Sequence, residues 1–368
     1  MATLEELFAG RNLTKMVQGI KPGLPRRIPD AFFAVTDSVP GHVFEWLEFN
    51  GQRDLALIVA QDSPAHRIGH PDAVSKSATM LRSFESQVFT ANKLRNLIDP
   101  NSVSNQRDAM GRQFVMRSSE WFKQRQENLV QTAAQVMLLD FSLHFNERGE
   151  ILTSSSGATV SIDIGIPAGQ INQLDILGSG AIIGTNWATN STDIIGDLAA
   201  IRDQMLQLGG WNITEAFYGA NIAEYIASND AAKEYIRRTP ALATQAFLRA
   251  NKVPDGFQNL NWHDVHDAFY IDASGTVQTI IGDDEIVFTP PPGPEWWKYA
   301  QGTEMVPNGL GLVGTDAGDL LGDLSEVQGS FSYAKMGMNP VSIEQFAGLN
   351  WLPLIVATRA VCRADVTP

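Results

Sequence analysis

The sequence predicts an α+β fold in which one very long helix accompanies many short strands and hairpins. The first observation is a helical stripe over 107–139, where apolar side chains recur every three or four residues and polar ones fill the other face. The second is the alternating run 42–49, which leads into Asn50-Gly51, a strong signal for a β-hairpin. The third is the block 191–289, in which helical and strand patterns follow one another.

The composition fits a globular chain with a large core and argues against general nucleic-acid binding. With 368 residues and 44% apolar side chains, the chain can form one large or two ordinary domains. Its formal net charge of −14 is the opposite of a basic footprint. Residues 1–125 hold 16 Lys and Arg against 13 Asp and Glu, while residues 126–368 hold 11 against 28. This asymmetry indicates either attraction between copies of the chain or a solvated acidic surface.

The cysteine content and the first residues predict a soluble protein made in a reducing cytosol. Cys362 is the only cysteine, which excludes a disulfide within one chain, and its apolar surroundings favour an inert core residue. Residues 1–10 include Glu5 and Glu6 and lack the apolar run of a secretory signal. No stretch approaches the ~20 apolar residues that span a bilayer.

The first forty residues combine a short helix candidate with an irregular stretch. Leu4, Leu7 and Phe8 have helical spacing, and the prolines between 22 and 29 then exclude regular structure. Two interpretations stay open, namely a poorly ordered terminus and an arm that lies across other subunits.

Residues 42–92 form a long excursion around a polar tip. After the Asn-Gly turn, the apolar run 55–60 predicts the second hairpin strand, and a turn-rich segment follows from 61 to 77. The return over 78–98 is ambiguous, because its apolar spacing comes close to that of a helix. A globular enzyme seldom needs such an excursion, whereas a subunit that reaches over a neighbour does.

The helix over 107–139 would be roughly 50 Å long at ~1.5 Å per residue, much longer than the average helix.

Further along, the pattern predicts hairpins at 141–145 with 151–153 and at 268–272 with 276–281, helices at 191–208 and 220–238, and strands at 158–164, 214–218, 285–289 and 351–366. Residues 292–330 are rich in Gly, Pro and Asp and predict loops. No clear linker divides the chain, which indicates discontinuous domains.

The order of these elements resembles that of the major capsid proteins of lambda-type tailed bacteriophages, the major capsid protein E family. The resemblance is carried by the short hairpin, the strand Leu55-Ala56-Leu57, the tip Ser63-Pro64-Ala65, and Thr90-Ala91-Asn92-Lys93-Leu94-Arg95 after a basic return. It extends over roughly residues 30–368, and only the segment 42–97 is moderately specific. It implies the Hong Kong 97-type capsid fold.

The resemblance also implies how the chain is divided. It implies an N-terminal arm at 1–40, an extended loop at 41–92, a peripheral domain of 93–165 and 335–368 around a spine helix at 107–139, and an axial domain at 166–334. The ambiguous return is then a strand to about Val88, followed by a short helix capped by Thr90. The loops at 292–330 would surround the axis of the capsomer. An ordinary core helix fits the residues 107–139 as well as a spine helix does.

The function implied by the resemblance is geometric and not enzymatic. Copies would assemble into pentamers and hexamers, and then into an icosahedral shell around double-stranded DNA. The implied partners are further copies of the chain, a separate scaffolding protein, a portal, an optional decoration protein and packaged DNA held non-specifically, without a cofactor or a membrane. The implied location is the virion capsid, assembled in the host cytoplasm.

Ten residues are expected at contacts between subunits. They are Arg26, Arg27, Asp62, Pro64, His66, Arg67, Lys76, Arg82, Trp296 and Trp297. The pair Arg26-Arg27 is also a candidate trimming site. Some capsids of this fold form a Lys–Asn cross-link, but no Asn partner for Lys76 is identifiable, so no cross-link is predicted.

Two other functions stay open. A cytosolic metal-assisted hydrolase would use His263 and His266 with nearby carboxylates, but residues three apart point to opposite faces of a strand, and a third ligand is not identifiable. The glycines between 178 and 184 miss the dinucleotide-binding spacing by one residue. The other alternative is a different virion component such as a decoration protein, a class whose chains are usually shorter.

Overall fold

The computed structural model describes residues 10–19, 27–49, 73–90, 104–178, 180–241, 252–272, 274–307, 311–312, 324–338 and 341–367. Within these ranges no helix is both long and apolar enough to cross a membrane. Helices α1 to α5 span Gly10–Gly19, Ser104–Leu139, Ile194–Gly209, Ile222–Ser228 and Asp230–Arg238. The mixture of helices and strands confirms the α+β class.

Strands β1 to β10 span Asp37–Val39, Val43–Phe49, Ala73–Thr79, Leu81–Thr90, Ser142–Phe145, Ile151–Leu152, Val160–Asp163, Ile171–Asn172, Glu215–Tyr218 and Asn261–Asp264. Strands β11 to β19 span Phe269–Ile271, Val277–Thr279, Glu285–Thr289, Trp297–Pro307, Gly311–Leu312, Leu324–Gln328, Ser330–Met338, Val341–Ile355 and Cys362–Asp365. The predicted hairpins at 141–153 and 268–281 and the predicted strands near 160, 215 and 285 are therefore confirmed.

The long helix is confirmed and begins three residues earlier than predicted. Helix α2 has 36 residues and is about 54 Å long. Its C-terminal half is buried, with Val130, Ala133 and Met137 in the core. The chain then reverses at Phe141, which has a φ of 63°, a left-handed conformation that is uncommon outside glycine.

A seven-stranded sheet packs against this helix. Its order is β1-β14-β18-β17-β15, with β4 added to β18 and β16 added to β14. The central strand β18 pairs antiparallel with β4 over ten residues, from Trp351 opposite Leu81 to Ser342 opposite Thr90. The return from the predicted loop is thus a strand, as the resemblance implied, and the helix expected after Thr90 lies outside the described residues.

A second sheet has the order β10-β9-β13-β19-β8 and carries helices α3 to α5. The predicted strand at 351–366 proves to be two strands in different sheets. Residues 351–355 complete β18, a 3-10 turn follows at Thr358–Ala360, and β19 pairs with β13 in the second sheet. Strands from both sides of the expected boundary at 334/335 therefore occur in each sheet: β14 lies before it and β18 after it in the large sheet, and β13 lies before it and β19 after it in the second sheet.

The loops predicted for 292–330 are wrong for much of that segment. Strand β14 has eleven residues and pairs with both β18 and β16. Most of the glycines and prolines that suggested loops flank this strand, although Gly302 and Pro307 lie within it, and its residues include the inward-facing Trp297 and Tyr299. Tertiary pairing here outweighs the local composition.

Trp296 and Trp297 belong to the core of this chain and not to a contact between subunits. Their exposed fractions are 1% and 2%. The indole of Trp297 donates to the carbonyl of Phe32 at 2.8 Å, and the Phe32 ring meets both indoles edge-on at 5.5–5.8 Å. The expectation that these tryptophans line a contact is therefore corrected, because their surfaces are already covered.

The described part of the first forty residues is also integrated into the body. In α1, Leu13 and Val17 are fully buried, and the Thr14 hydroxyl donates to the Ser332 carbonyl at 2.9 Å. Strand β1 pairs in parallel with β14. The predicted helix at Leu4–Phe8 lies outside the described residues.

An aromatic ladder covers the face of the large sheet opposite α2. The rings of Phe84, Phe346 and Tyr333 stack at 4.9–6.3 Å across three strands. The neighbouring Phe331 ring is buried and lies over the backbone of Gly348, where a Cβ atom would meet Phe331 Cζ at 2.3 Å. Gly348 therefore makes room for an aromatic ring.

The helix predicted for 220–238 is broken at Asn229 into α4 and α5. Asn229 has an extended backbone, and its buried side chain accepts from the Ala232 N–H at 2.9 Å as the N-cap of α5. Its amide donates to the carbonyls of Asn190 and Thr192 at 3.0 and 2.7 Å. An N-cap residue that also ties down a loop fixes the break, and an asparagine is suited to this position.

Asn229→Ala is expected to lower the free energy of unfolding by about 2 kcal/mol, because it removes a helix cap and two buried hydrogen bonds. Urea denaturation of the unassembled subunit measures it. Asn128→Ala, on an exposed position of α2, is the matched control and should change stability by less than about 0.5 kcal/mol. Equal effects of the two substitutions would contradict the role of Asn229.

Candidate assembly surfaces

The hairpin of β2 and β3 has one face on the body and one face in solvent. The strands are antiparallel, with Phe49 opposite Ala73 and Val43 opposite Thr79. The inward face carries Phe44 and Trp46, whose rings stack at 5.8 Å within the main core. The last part of the expected polar tip, 73–77, is thus a strand, whereas the predicted strand at 55–60 lies outside the described residues.

Glu48 also lies on the inward face and anchors this hairpin to the body. The residue is 7% exposed. Its Oε1 accepts from the Thr358 N–H at 2.9 Å and from the Thr358 hydroxyl at 2.6 Å, and its Oε2 meets Lys76 Nζ at 2.6 Å. Burial by itself raises the pKa of the Glu48 carboxyl, but hydrogen bonds from Lys76 and Thr358 outweigh it, so the pKa lies below its usual value. The carboxylate is therefore held in its charged form.

The outward face of the same hairpin exposes apolar side chains. Val43 and Leu47 alternate there with Glu45, and both are more than half exposed. Neither strand pairs with another strand in the described part of the chain. An exposed apolar strand face with unpaired edges is a surface suited to contact another chain.

A second such surface is the hairpin of β11 and β12. Phe269, Ile271 and Val277 share its outward face and are 55%, 61% and 59% exposed. Its inward face places Tyr270 against the main core. The turn is held by Asp272, whose carboxylate accepts from the Ser274 hydroxyl, the Gln278 amide and the Thr276 N–H, and these bonds lower the pKa of Asp272 to about 2.

The other eight residues predicted at contacts divide into three groups. Lys76 is engaged with Glu48, as above. Arg27 and Arg82 pair with Asp267 and Glu304 at 2.7 and 3.0 Å, and both arginine side chains stay 46% exposed. The other five predicted residues, Arg26, Asp62, Pro64, His66 and Arg67, lie outside the described residues.

The two histidines weighed as metal ligands turn to separate carboxylates. His263 Nε2 meets Glu215 at 2.6 Å and stacks on Phe217, while His266 Nδ1 meets Asp264. In the described ranges, no three or more His, Cys, Asp or Glu residues form a group that could hold a metal ion. Cys362 is buried, and burial raises the pKa of its thiol.

The sequence reasoning missed Glu48 and both apolar hairpin faces. Glu48 shares the alternating phase of Phe44 and Trp46, but Val43, Leu47 and Phe49 occupy the other phase, so the sequence alone does not determine which face is buried. Thr358 could not be found in this way, since its partner is 310 residues distant in sequence. The face of β11 and β12 is short, and three alternating residues rarely stand out.

The described residues thus include two strand faces with exposed apolar side chains, which are surfaces suited to contact another chain. The sequence matches the model of the phage major capsid protein E family over residues 10–305. The chain therefore belongs to this family, as the resemblance implied. It is a major capsid protein that forms the phage shell, and its family is one of structural proteins and not of enzymes.

Solved structures resemble this chain at low sequence identity. A phage-related protein from Bordetella bronchiseptica RB50 is 9% identical with a TM-score of 0.50, covering 100% of this chain and 98% of that chain. A putative capsid protein of a prophage from E. coli CFT073 is 13% identical with a TM-score of 0.44, covering 80% of each chain. The mature capsid of bacteriophage PhiM1 is 10% identical with a TM-score of 0.46, covering 94% of this chain and 89% of that chain.

No curated protein matches the sequence significantly. The fold is the Hong Kong 97-type capsid fold, as the family match and the Bordetella protein indicate. The predicted class, α+β with a long helix beside a sheet, agrees with it.

Proposed function

We propose that this capsid protein assembles into pentamers and hexamers, which close into the shell around double-stranded DNA. The observation that carries the proposal is the pair of exposed apolar hairpin faces on a chain with a net charge of −14. A soluble acidic chain has little reason to expose two such faces unless copies of it cover them. Obligate interfaces often bury more than ~2,000 Å², and the exposed faces of the two hairpins supply apolar area for such contacts.

The partners in this proposal are other copies of the chain, a scaffolding protein, a portal and an optional decoration protein. Contact with the packaged DNA is non-specific. Assembly takes place in the host cytoplasm. Arg27 and Arg82 support the proposal as contact residues, because each keeps an exposed guanidinium beside its partner within the chain.

Negative-stain electron microscopy of the purified protein, over a range of concentration and salt, tests the proposal directly. Rings of five and six subunits, shells, sheets or tubes are the expected result, with light scattering that rises at a threshold concentration. A monomer or dimer under every condition, also with a scaffolding protein supplied, would contradict it.

Ile271→Lys is expected to raise the concentration needed for assembly by about tenfold or more, because it removes one apolar contact that is worth ~1.5–3 kcal/mol when fully buried. The folding of the subunit should change by less than about 0.5 kcal/mol, because Ile271 is exposed. Leu206→Lys, at a single exposed apolar position of α3, is the control and should assemble like the parent protein. If both variants assemble alike, the face of β11 and β12 is not a contact.

A further inference from the structure

The turn at Thr358–Ala360 lies between the hairpin of β2 and β3 and the second sheet. From the hairpin side, Glu48 accepts both polar hydrogens of Thr358, the backbone N–H and the hydroxyl. These bonds connect a strand of the hairpin to a segment 310 residues later in the chain.

From the other side, Gln170 holds the carbonyls of the same turn. Its Nε2 donates to the carbonyl of Val361 at 2.6 Å and to that of Thr358 at 3.3 Å, and the residue is 1% exposed. Gln170 directly precedes β8, which pairs in parallel with β19 in the second sheet. Helix α3 also contacts the turn.

Each polar group of Thr358 is therefore hydrogen-bonded. Its N–H and hydroxyl donate to Glu48 of the hairpin, and its carbonyl accepts from Gln170, which precedes β8 of the second sheet. A buried carboxylate with three donors leaves little freedom, since moving it would leave the Thr358 N–H and Lys76 without their partner. Any movement of the hairpin relative to the second sheet would therefore have to stretch or break these hydrogen bonds.

We propose that the Thr358–Ala360 turn is a joint that couples the position of the β2–β3 hairpin to the second sheet, with Glu48 and Gln170 as the positioning residues on its two sides. The proposal rests on the proposed function in one respect, that the hairpin is a contact surface of the shell. A change in the position of the second sheet would then change the direction in which the contact surface of the hairpin faces.

Hydrogen exchange of the full-length, unassembled subunit tests the joint without any assembly step. Glu48→Gln keeps the shape of the side chain but removes its charge and one acceptor. It is expected to speed exchange about tenfold or more in the hairpin strands and in β19, because bonds to a charged group are the strong ones. Exchange at the paired centre of β17 and β18 reports global opening and should stay unchanged.

The reverse test uses Gln170→Leu, which cuts the bonds on the far side of the turn. It is expected to speed exchange in the hairpin, which Gln170 does not touch. Thr358→Val removes only the hydroxyl bond and gives a milder form of either change if a stronger variant fails to fold. Glu45→Gln and Thr79→Val, on the exposed face of the same hairpin, are the matched controls and should leave exchange unaltered.

Faster exchange in the hairpin alone in Glu48→Gln, or in the second sheet alone in Gln170→Leu, would overturn the coupling. An equal increase at β17 and β18 would also overturn it, since the effect would then be global. Electron microscopy of the same variants reads shell formation separately, so a chain that never assembles fails the proposed function and leaves the exchange result intact.

Discussion

Deleting residues 52–72 is expected to leave the subunit folded and to abolish closed shells. The deletion joins Gly51 to Ala73, so Asn50-Gly51 becomes a two-residue connection between Phe49 and Ala73, which already face each other in the hairpin. Asn-Gly is the preferred sequence for such a connection. The pairing of β2 with β3 should persist, because the shorter connection keeps their register.

The measurement combines thermal unfolding with electron microscopy. The unfolding temperature should stay within a few degrees of the parent protein, while rings or irregular aggregates replace shells. In a second variant, Gly and Ser replace the same residues at equal length. Comparing the two variants shows whether shell closure needs only the length of this segment or also its side chains. Shells of normal size from the deletion variant would show that this segment has no part in closure.

The second large effect is expected from Gly348→Val, which should lower the free energy of unfolding by about 3 kcal/mol. A Cβ atom at this position would lie 2.3 Å from Cζ and 2.8 Å from both Cε atoms of Phe331. Phe331 is fully buried and has no room to retreat, so the ring, the strand or both must shift. Valine adds two further methyl groups to this clash.

Urea denaturation of the unassembled subunit gives the number. Gly184→Ala is the control, because nothing lies within 4 Å of the position where its Cβ would be. Combining Gly348→Ala with Phe331→Leu should cost less than the two single changes added together, since the smaller side chain relieves the clash. Additive costs would show that Gly348 is required for another reason.

The sequence predicts those elements whose signal is long and local. Helix α2 is an example, because its stripe runs over more than thirty residues and no tertiary contact is needed to recognise it. Strand β14 is the opposite case, since its neighbours in sequence include many glycines and prolines and its partners, β1, β16 and β18, lie elsewhere in the chain. A single inward polar residue can also redirect a helix, as Asn229 does between α4 and α5.

The candidate surfaces are predictable only in part. The excursion after residue 42 stands out in the sequence, but its hairpin is anchored through Glu48 to Thr358, a residue 310 positions later in the chain. Trp296 and Trp297 show the opposite error of sequence-based prediction. Two adjacent large aromatic residues suggest a contact between subunits, but here they pack with Phe32 in the core of the chain. Exposure is a property of the whole fold, and local sequence carries little of it.

The central strand β18 has a consequence for synthesis on the ribosome. It pairs with β4 and with β14, and α1 is tied to β17 by bonds that join residues 318 positions apart. Contacts so distant in sequence form late and slowly. A nascent chain therefore lacks its large sheet until nearly all of it has been translated. A chain that ends before residue 341 also lacks Thr358, so the hairpin of β2 and β3 has not yet gained the partner of Glu48.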